Sequence, residues 1–233
     1  MRHYLLVDDN RALAENLAEI FDNAGATATL ASGGAHAVEL ARATRFDAVV
    51  SDMRMPVMGG ATLVHLLRQV DPGLPAIVVT AYTGDDELAD ARREGLLAVL
   101  PKPVPVARLL ELVALARRDA LVALIEDDAA LADNLTEALR DRGFSAVTAA
   151  SVLEAERFGD LRPLAALVDV RVPGGPPGEA IRRFAARFPD VPLVAITAFA
   201  PELPRLNLAA VYTKPFDTAR LLAELERLQA APR

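Results

Sequence analysis

Four polar residue types recur twice along this chain in one order, and each closes a short apolar run. In the first half they are Asp8-Asp9 after His3–Val7, then Asp52, Thr80 and Lys102, with Pro103 behind the lysine. In the second half they are Glu126-Asp127 after Leu121–Ile125, then Asp169, Thr197 and Lys214, again followed by proline. Asp9 and Asp52 lie 43 positions apart, Asp127 and Asp169 42, and the step from that aspartate to the threonine is 28 in both halves. The step from threonine to lysine is 22 in the first half and 17 in the second. Carboxylates gathered in one pocket repel and resist ionising together. A hard divalent cation such as magnesium relieves that repulsion. One carboxylate can then act as a nucleophile towards phosphorus. Lysine and threonine can hold the phosphoryl oxygens, and phosphoryl transfer needs little beyond such positioning and charge neutralisation. Taken singly, Asp8, Asp9 and Glu126 read as helix caps, the threonines as strand ends and the lysines as solvated turn residues. Their joint recurrence points to a site.

The segments between these residues alternate between two patterns. Strands are expected at Tyr4–Val7, Thr27–Leu30, Ala48–Val50, Ile77–Val79 and Leu96–Leu100. Helices are expected from the stripe Leu13, Leu17, Ile20, Phe21 and over Ala35–Ala43, the segment after Gly59-Gly60, Asp85–Glu94 and Val106–Arg117. The second half repeats the plan, with strands at Leu121–Ile125, Ala146–Thr148, Ala166–Val168, Leu193–Ile196 and Ala209–Tyr212. Its helices fall at Ala130–Arg140, Leu153–Phe158, Glu179–Arg187 and Thr218–Leu228. Pro201 and Pro204 interrupt the place of its fourth helix, which is expected to be lost or reduced to a turn. Strict alternation implies right-handed crossovers and parallel sheets covered on both faces. Ligands then sit beyond the carboxyl ends of the strands, where all four residue types fall. No glycine, serine or proline separates Val106–Arg117 from Leu121, so the two halves are expected to hold a restricted mutual orientation.

Composition narrows the chemistry. The 233 residues contain no cysteine and three scattered histidines, which removes thiol catalysis and argues against a zinc or histidine centre. A net charge of −7 and 5% aromatics do not suit a nucleic-acid partner. No apolar run approaches a membrane span and no signal peptide is visible, so a soluble, cytoplasmic protein with neither membrane nor nucleic-acid partner is expected.

Val7-Asp8-Asp9, Ser51-Asp52-Met53-Arg54-Met55-Pro56 with Gly59-Gly60, Val79-Thr80-Ala81 and Lys102-Pro103 together resemble the bacterial response-regulator receiver domain. The resemblance covers residues 1–118 and, with gaps, the second half. It implies two flavodoxin-like, doubly wound (βα)5 domains in tandem, 1–118 and 119–233, the second atypical in its fourth helix. It implies that Asp52 accepts a phosphoryl group from a sensor histidine kinase or phosphotransfer protein. Asp9, Asp52 and the Arg54 carbonyl would ligate Mg2+, Asp8 would act through water, and Thr80 and Lys102 would read the phosphoryl group. Asp169, Asp127, the Arg171 carbonyl, Glu126, Thr197 and Lys214 would take the same roles in the second half, with glutamate for aspartate a tolerable exchange at Glu126.

Two departures from the family pattern matter. Its switch aromatic, three positions before the lysine, is replaced by Val99 and Val211. Tyr212 falls one residue late and is expected on the opposite strand face. Tyr82 and Phe199, two residues after the threonines, are expected at the pocket mouths, where Tyr82 would slow hydrolysis of a phosphorylated Asp52. With no output segment after the last helix, the expectation is a regulator that signals by protein contact and is not an enzyme beyond its own phosphorylation and slow dephosphorylation, or else a piece of a longer regulator or hybrid kinase. Any homodimer would use the first domain. The alternatives are a phosphorelay intermediate or phosphate sink using both aspartates, and a phosphorylation-independent scaffold. A haloacid-dehalogenase-like phosphatase is set aside because Met53-Arg54 follows Asp52 where that family has an Asp-x-Asp motif.

Overall fold

A computed structural model of the chain describes residues 1–81, 88, 91–92, 94–159, 161–198, 203 and 206–231. The chain divides into two compact units, Met1–Asp119 and Ala120–Arg233. In the first, strands β1 (His3–Val7), β2 (Thr27–Ala31), β3 (Ala48–Asp52), β4 (Ala76–Thr80) and β5 (Ala98–Pro101) form one parallel sheet in the order β2-β1-β3-β4-β5. Helices α1 (Arg11–Asn23), α2 (Gly34–Ala43), α3 (Gly60–Val70) and α4 (Val106–Leu115) cover it. Successive strand side chains point to opposite faces, so the apolar runs feed two cores. Leu5, Val7, Val49 and Val78 pack with Ala37, Leu63 and Leu67 of α2 and α3. Tyr4, Leu6, Val50 and Ile77 pack on the other face with Leu17 and Phe21 of α1 and with Leu109 and Leu112 of α4.

The second unit repeats this with β6 (Leu121–Ile125), β7 (Ser145–Ala149), β8 (Ala165–Asp169), β9 (Leu193–Thr197) and β10 (Ala210–Thr213), in the order β7-β6-β8-β9-β10. Its helices are α5 (Ala129–Arg140), α6 (Val152–Ala155, continued by a 3-10 turn over Glu156–Phe158), α7 (Glu179–Arg187) and α8 (Thr218–Ala230). Both units are therefore doubly wound α/β sheets in tandem.

Several boundaries shift from the sequence expectation. β5 starts at Ala98, where its pairing with Ile77 of β4 begins, and Leu96 and Leu97 are buried ahead of it. Helix α4 stops at Leu115, where Ala116 turns extended with ψ 128°. The segment expected as one helix over Leu153–Phe158 tightens into the 3-10 turn and ends at Gly159, whose φ is 54°. Of the expected helix Asp85–Glu94, Leu88, Ala91 and Arg92 are described as helical, and most of the remainder lies outside the described residues. Where the fourth helix of the second unit was expected to fail, residues 203 and 206–208 are not helical, and Leu203 and Leu208 pack on the core.

Candidate functional site

In each unit the strand order carries the chemistry-bearing residues to one end of the sheet. Asp52 closes β3, Thr80 closes β4, Asp8 follows β1 and Lys102 follows β5. Asp8 and Asp52 are each 8% exposed and Thr80 is buried, whereas Asp9 faces solvent. Carboxylate oxygens of Asp8, Asp9 and Asp52 all lie within 4.8 Å of one another. Lys102 Nζ donates to Asp52 Oδ2 at 2.7 Å and stands 3.7 Å from Asp8 Oδ2. The Lys102 amide donates to the Thr80 carbonyl at 2.9 Å, tying the lysine loop to the threonine strand.

The second unit assembles the same set. Glu126, Asp169 and Thr197 are buried, Asp127 is exposed, and carboxylate oxygens of the three acids again lie within 4.8 Å of one another. Lys214 Nζ donates to Asp169 Oδ2 at 2.6 Å and to both oxygens of Glu126, at 3.1 and 2.9 Å. The Lys214 amide donates to the Thr197 carbonyl at 2.8 Å. Both lysines precede a cis proline.

Backbone amides complete each pocket. The Arg54 and Arg171 amides donate to Oδ1 of Asp52 and Asp169, at 3.3 and 2.9 Å. Each loop beyond the aspartate is latched by a glycine amide, Gly60 to the Met53 carbonyl and Gly178 to that of Val170, both at 2.7 Å. A Cβ on Gly60 would meet the Asp52 carbonyl oxygen and Met53 Cα at 2.9 Å, so only glycine fits there. The sequence reading did not single out Asn10 and Asp128. The Asn10 amide donates to Asp8 Oδ1 at 2.8 Å and the Asp128 amide to Glu126 Oε1 at 3.2 Å, while their side chains cap α1 and α5. A cap-forming residue directly after the acid pair was the available signal.

Burial pushes the Asp8 carboxyl above its ordinary value, and the charges of Asp52 and Asp9 add to this against the Asn10 amide and Lys102. Burial also pushes Glu126 up, with Asp169 adding, while Lys214 and the Asp128 amide oppose. At Lys214 burial favours the neutral amine, but hydrogen bonds and charge from Asp169 and Glu126 outweigh it and hold the ammonium above its ordinary value. Hard oxygen donors that are close and mutually repelling, two of three buried in each pocket, are a donor set that suits a divalent cation.

Tyr82 and Phe199 lie outside the described residues. Val99 is half-buried against the core, whereas Val211 is exposed. Tyr212 packs on the α5–α8 side of its sheet and donates its hydroxyl to the Arg220 carbonyl at 3.1 Å.

An open doubly wound sheet with an acid trio, a threonine and a lysine at its carboxyl end defines a receiver-type signalling module. The family profile for the response regulator receiver domain matches residues 4–114. A response regulator receiver protein of Anaeromyxobacter sp. (strain Fw109-5) is 59% identical over 228 residues, spanning 98% of this chain and 95% of that protein. The chain belongs to the response-regulator receiver family of two-component signalling proteins. It is also 34% identical over 169 residues to response regulator MprA of Mycobacterium ulcerans (strain Agy99), which spans 72% of this chain and 71% of that one. Among solved structures, the receiver domain of a Pseudomonas aeruginosa PAO1 sensor histidine kinase, with magnesium coordinated in its active-site cleft, is 27% identical. That match covers 48% of this chain and 93% of that chain, at a TM-score of 0.45. Among the described residues no helix is long and apolar enough to cross a membrane.

Proposed function

We propose that the chain accepts a phosphoryl group at Asp52 from a histidine kinase or phosphotransfer protein, in a magnesium-dependent reaction, and passes the signal on by protein contact. The observation that carries this is the Lys102 ammonium 2.7 Å from Asp52 Oδ2 inside the acidic trio. An Asp52 carboxylate oxygen attacks phosphorus, the P–N bond of the donor's phosphohistidine breaks, and its electron pair returns to the imidazole. Lys102 would offset the charge of the acyl phosphate, and Thr80, whose carbonyl accepts from the Lys102 amide, would hold a phosphoryl oxygen. A magnesium ion held by Asp9, Asp52 and the Arg54 carbonyl, with Asp8 acting through water, would supply charge neutralisation for the phosphoryl oxygens. On this reading the chain's chemistry is its own phosphorylation and slow dephosphorylation.

A second reading, in which Asp169 also accepts a phosphoryl group and the chain serves as a relay or sink, is favoured by the matching trio around Lys214. Intact mass after incubation with Mg2+ and acetyl phosphate tests both. One added group, lost in Asp52→Asn and kept in Asp169→Asn, supports the first reading. Two groups support the second. No incorporation, with a phosphorylated kinase as donor too, leaves a phosphorylation-independent scaffold.

A further inference from the structure

The two pockets hold the same acid–lysine set in different states of engagement. In the first, Lys102 Nζ hydrogen-bonds Asp52 Oδ2 at 2.7 Å, while Asp8 Oδ2 at 3.7 Å is an ion pair too long for a hydrogen bond. In the second, the extra methylene of Glu126 carries its carboxylate onto the lysine. Lys214 binds both Glu126 oxygens and Asp169 Oδ2. The Glu126 side chain is 0% exposed, and Oε1 also accepts from the Asp128 amide. Both Glu126 oxygens therefore already accept from a donor. A cation entering this pocket has to draw Glu126, or a water bound to it, away from a half-buried ammonium. Charge-assisted bonds of this kind are about twice as strong as neutral ones.

We propose that Glu126 and Lys214 make the second pocket a self-neutralised site, weaker for divalent cations than the first, so that magnesium fills the first pocket before the second. The inference rests on the magnesium-dependent reading above. Asp128, where the first unit has Asn10, adds a further negative charge near the second pocket. Its carboxylate is exposed and turned onto the α5 amides of Ala130 and Leu131, where solvent screens it. The direct contacts of Lys214 therefore decide the order.

The test is titration of the intact, metal-free chain with Mn2+ as probe, counting free ion by electron paramagnetic resonance. Two classes of site are expected, with affinities about tenfold or more apart, as is typical when a ligand's hydrogen-bonding partner changes. Asp9→Asn should remove the tighter class and Asp127→Asn the weaker. Glu126→Asp should move the weaker class towards the tighter, and Asp8→Glu should move the tighter class down. The reciprocal Asp8→Glu variant keeps the idea testable if Glu126→Asp does not fold. A single detectable class lost in Asp9→Asn also supports it. Two classes of equal affinity, a tighter class lost in Asp127→Asn, or a weaker class unmoved by Glu126→Asp overturns it. Absence of binding to a folded chain overturns the magnesium reading itself, a separate result.

Discussion

One methylene distinguishes the contact between Glu126 and Lys214 from that between Asp8 and Lys102, and its energetic consequence is large because the glutamate is wholly buried. Removing one partner of a buried pair leaves an uncompensated charge and costs about 3–5 kcal/mol, limited here by Glu126 taking up a proton. Lys214→Met is therefore expected to lower the stability of the second unit by about 3 kcal/mol. Lys102→Met, which removes one charge-assisted hydrogen bond and a longer ion pair to Asp8, should cost the first unit less, about 2 kcal/mol. Denaturant unfolding in the presence of a chelator compares them, and equal losses would refute the difference in engagement. Residue types and their order were enough to place both trios, because each acid, threonine and lysine ends an apolar run. The depth of Glu126 and its reach to Lys214 were not legible, since the exchange for aspartate reads as conservative until the distance is known. Val57 was equally hidden. It sits in the loop after Asp52 with φ 69° and its side chain fully exposed. Left-handed backbone costs a β-branched residue about 1–3 kcal/mol, against about 0.5–1 kcal/mol for the added chain entropy of glycine. Val57→Gly should therefore stabilise the first unit by about 1 kcal/mol, seen as a higher unfolding midpoint. A lower midpoint would show that Val57 makes a contact the exposed loop does not reveal.

Val99 on β5 and Val211 on β10 hold the same place relative to their lysines but not the same surroundings. Val99 is half-buried in a core that includes Leu88 and Ala91, two of the described helical residues ahead of it. Val211 is exposed on an edge strand, while Tyr212 beside it turns to the other face and meets Phe216 edge-on at 6.0 Å. Val→Thr places a hydroxyl in whatever surrounds the site, so Val99→Thr should cost about 1–2 kcal/mol and Val211→Thr no more than about 0.5 kcal/mol. Matched unfolding curves decide it, and a sizeable loss at Val211 would mean that something covers it in solution. Period-two alternation was sufficient to foresee Tyr212's face. Pro201 and Pro204, which carried the expectation of a broken helix, lie outside the described residues, and the sequence did not signal that Leu203 and Leu208 would pack on the core. A carbonyl clamp also lay beyond the sequence signal. Arg68 of α3 is 8% exposed and donates to the carbonyls of Glu94, Pro72 and Gly95, and burial lowers its pKa to about 10. Read as a helix position, Arg68 is an ordinary solvated charge.

The repeat made two sheets legible, yet where one folded unit ends depends on contacts made by the last residues before the second. Ala116 is buried in the core of the first unit, and Ala120 in that of the second. Between them Arg118 Nη2 reaches both oxygens of Asp71 at 2.6 Å, and Nη1 donates to the Phe46 carbonyl. The Asp119 amide donates to the Gly73 carbonyl at 2.9 Å, and a Cβ on Gly73 would collide with the Asp119 carboxylate. These bonds fasten residues 118 and 119 beneath the sheet of the first unit, beyond the end of α4. The Arg118 and Asp71 side chains are 15% and 19% exposed, so their charge-assisted bonds are only partly screened. Residues 1–119 and 120–233 expressed separately should each unfold in a single cooperative transition, since each carries a core on both faces of its sheet. A fragment ending at Leu115 loses the Ala116 burial and the Arg118 bonds together, and should be less stable than 1–119 by about 2–3 kcal/mol. Arg118→Ala in the longer fragment should reproduce most of that loss. If the shorter fragment matches the longer one, Arg118 and Asp119 belong to a passive connection and not to the first folded unit.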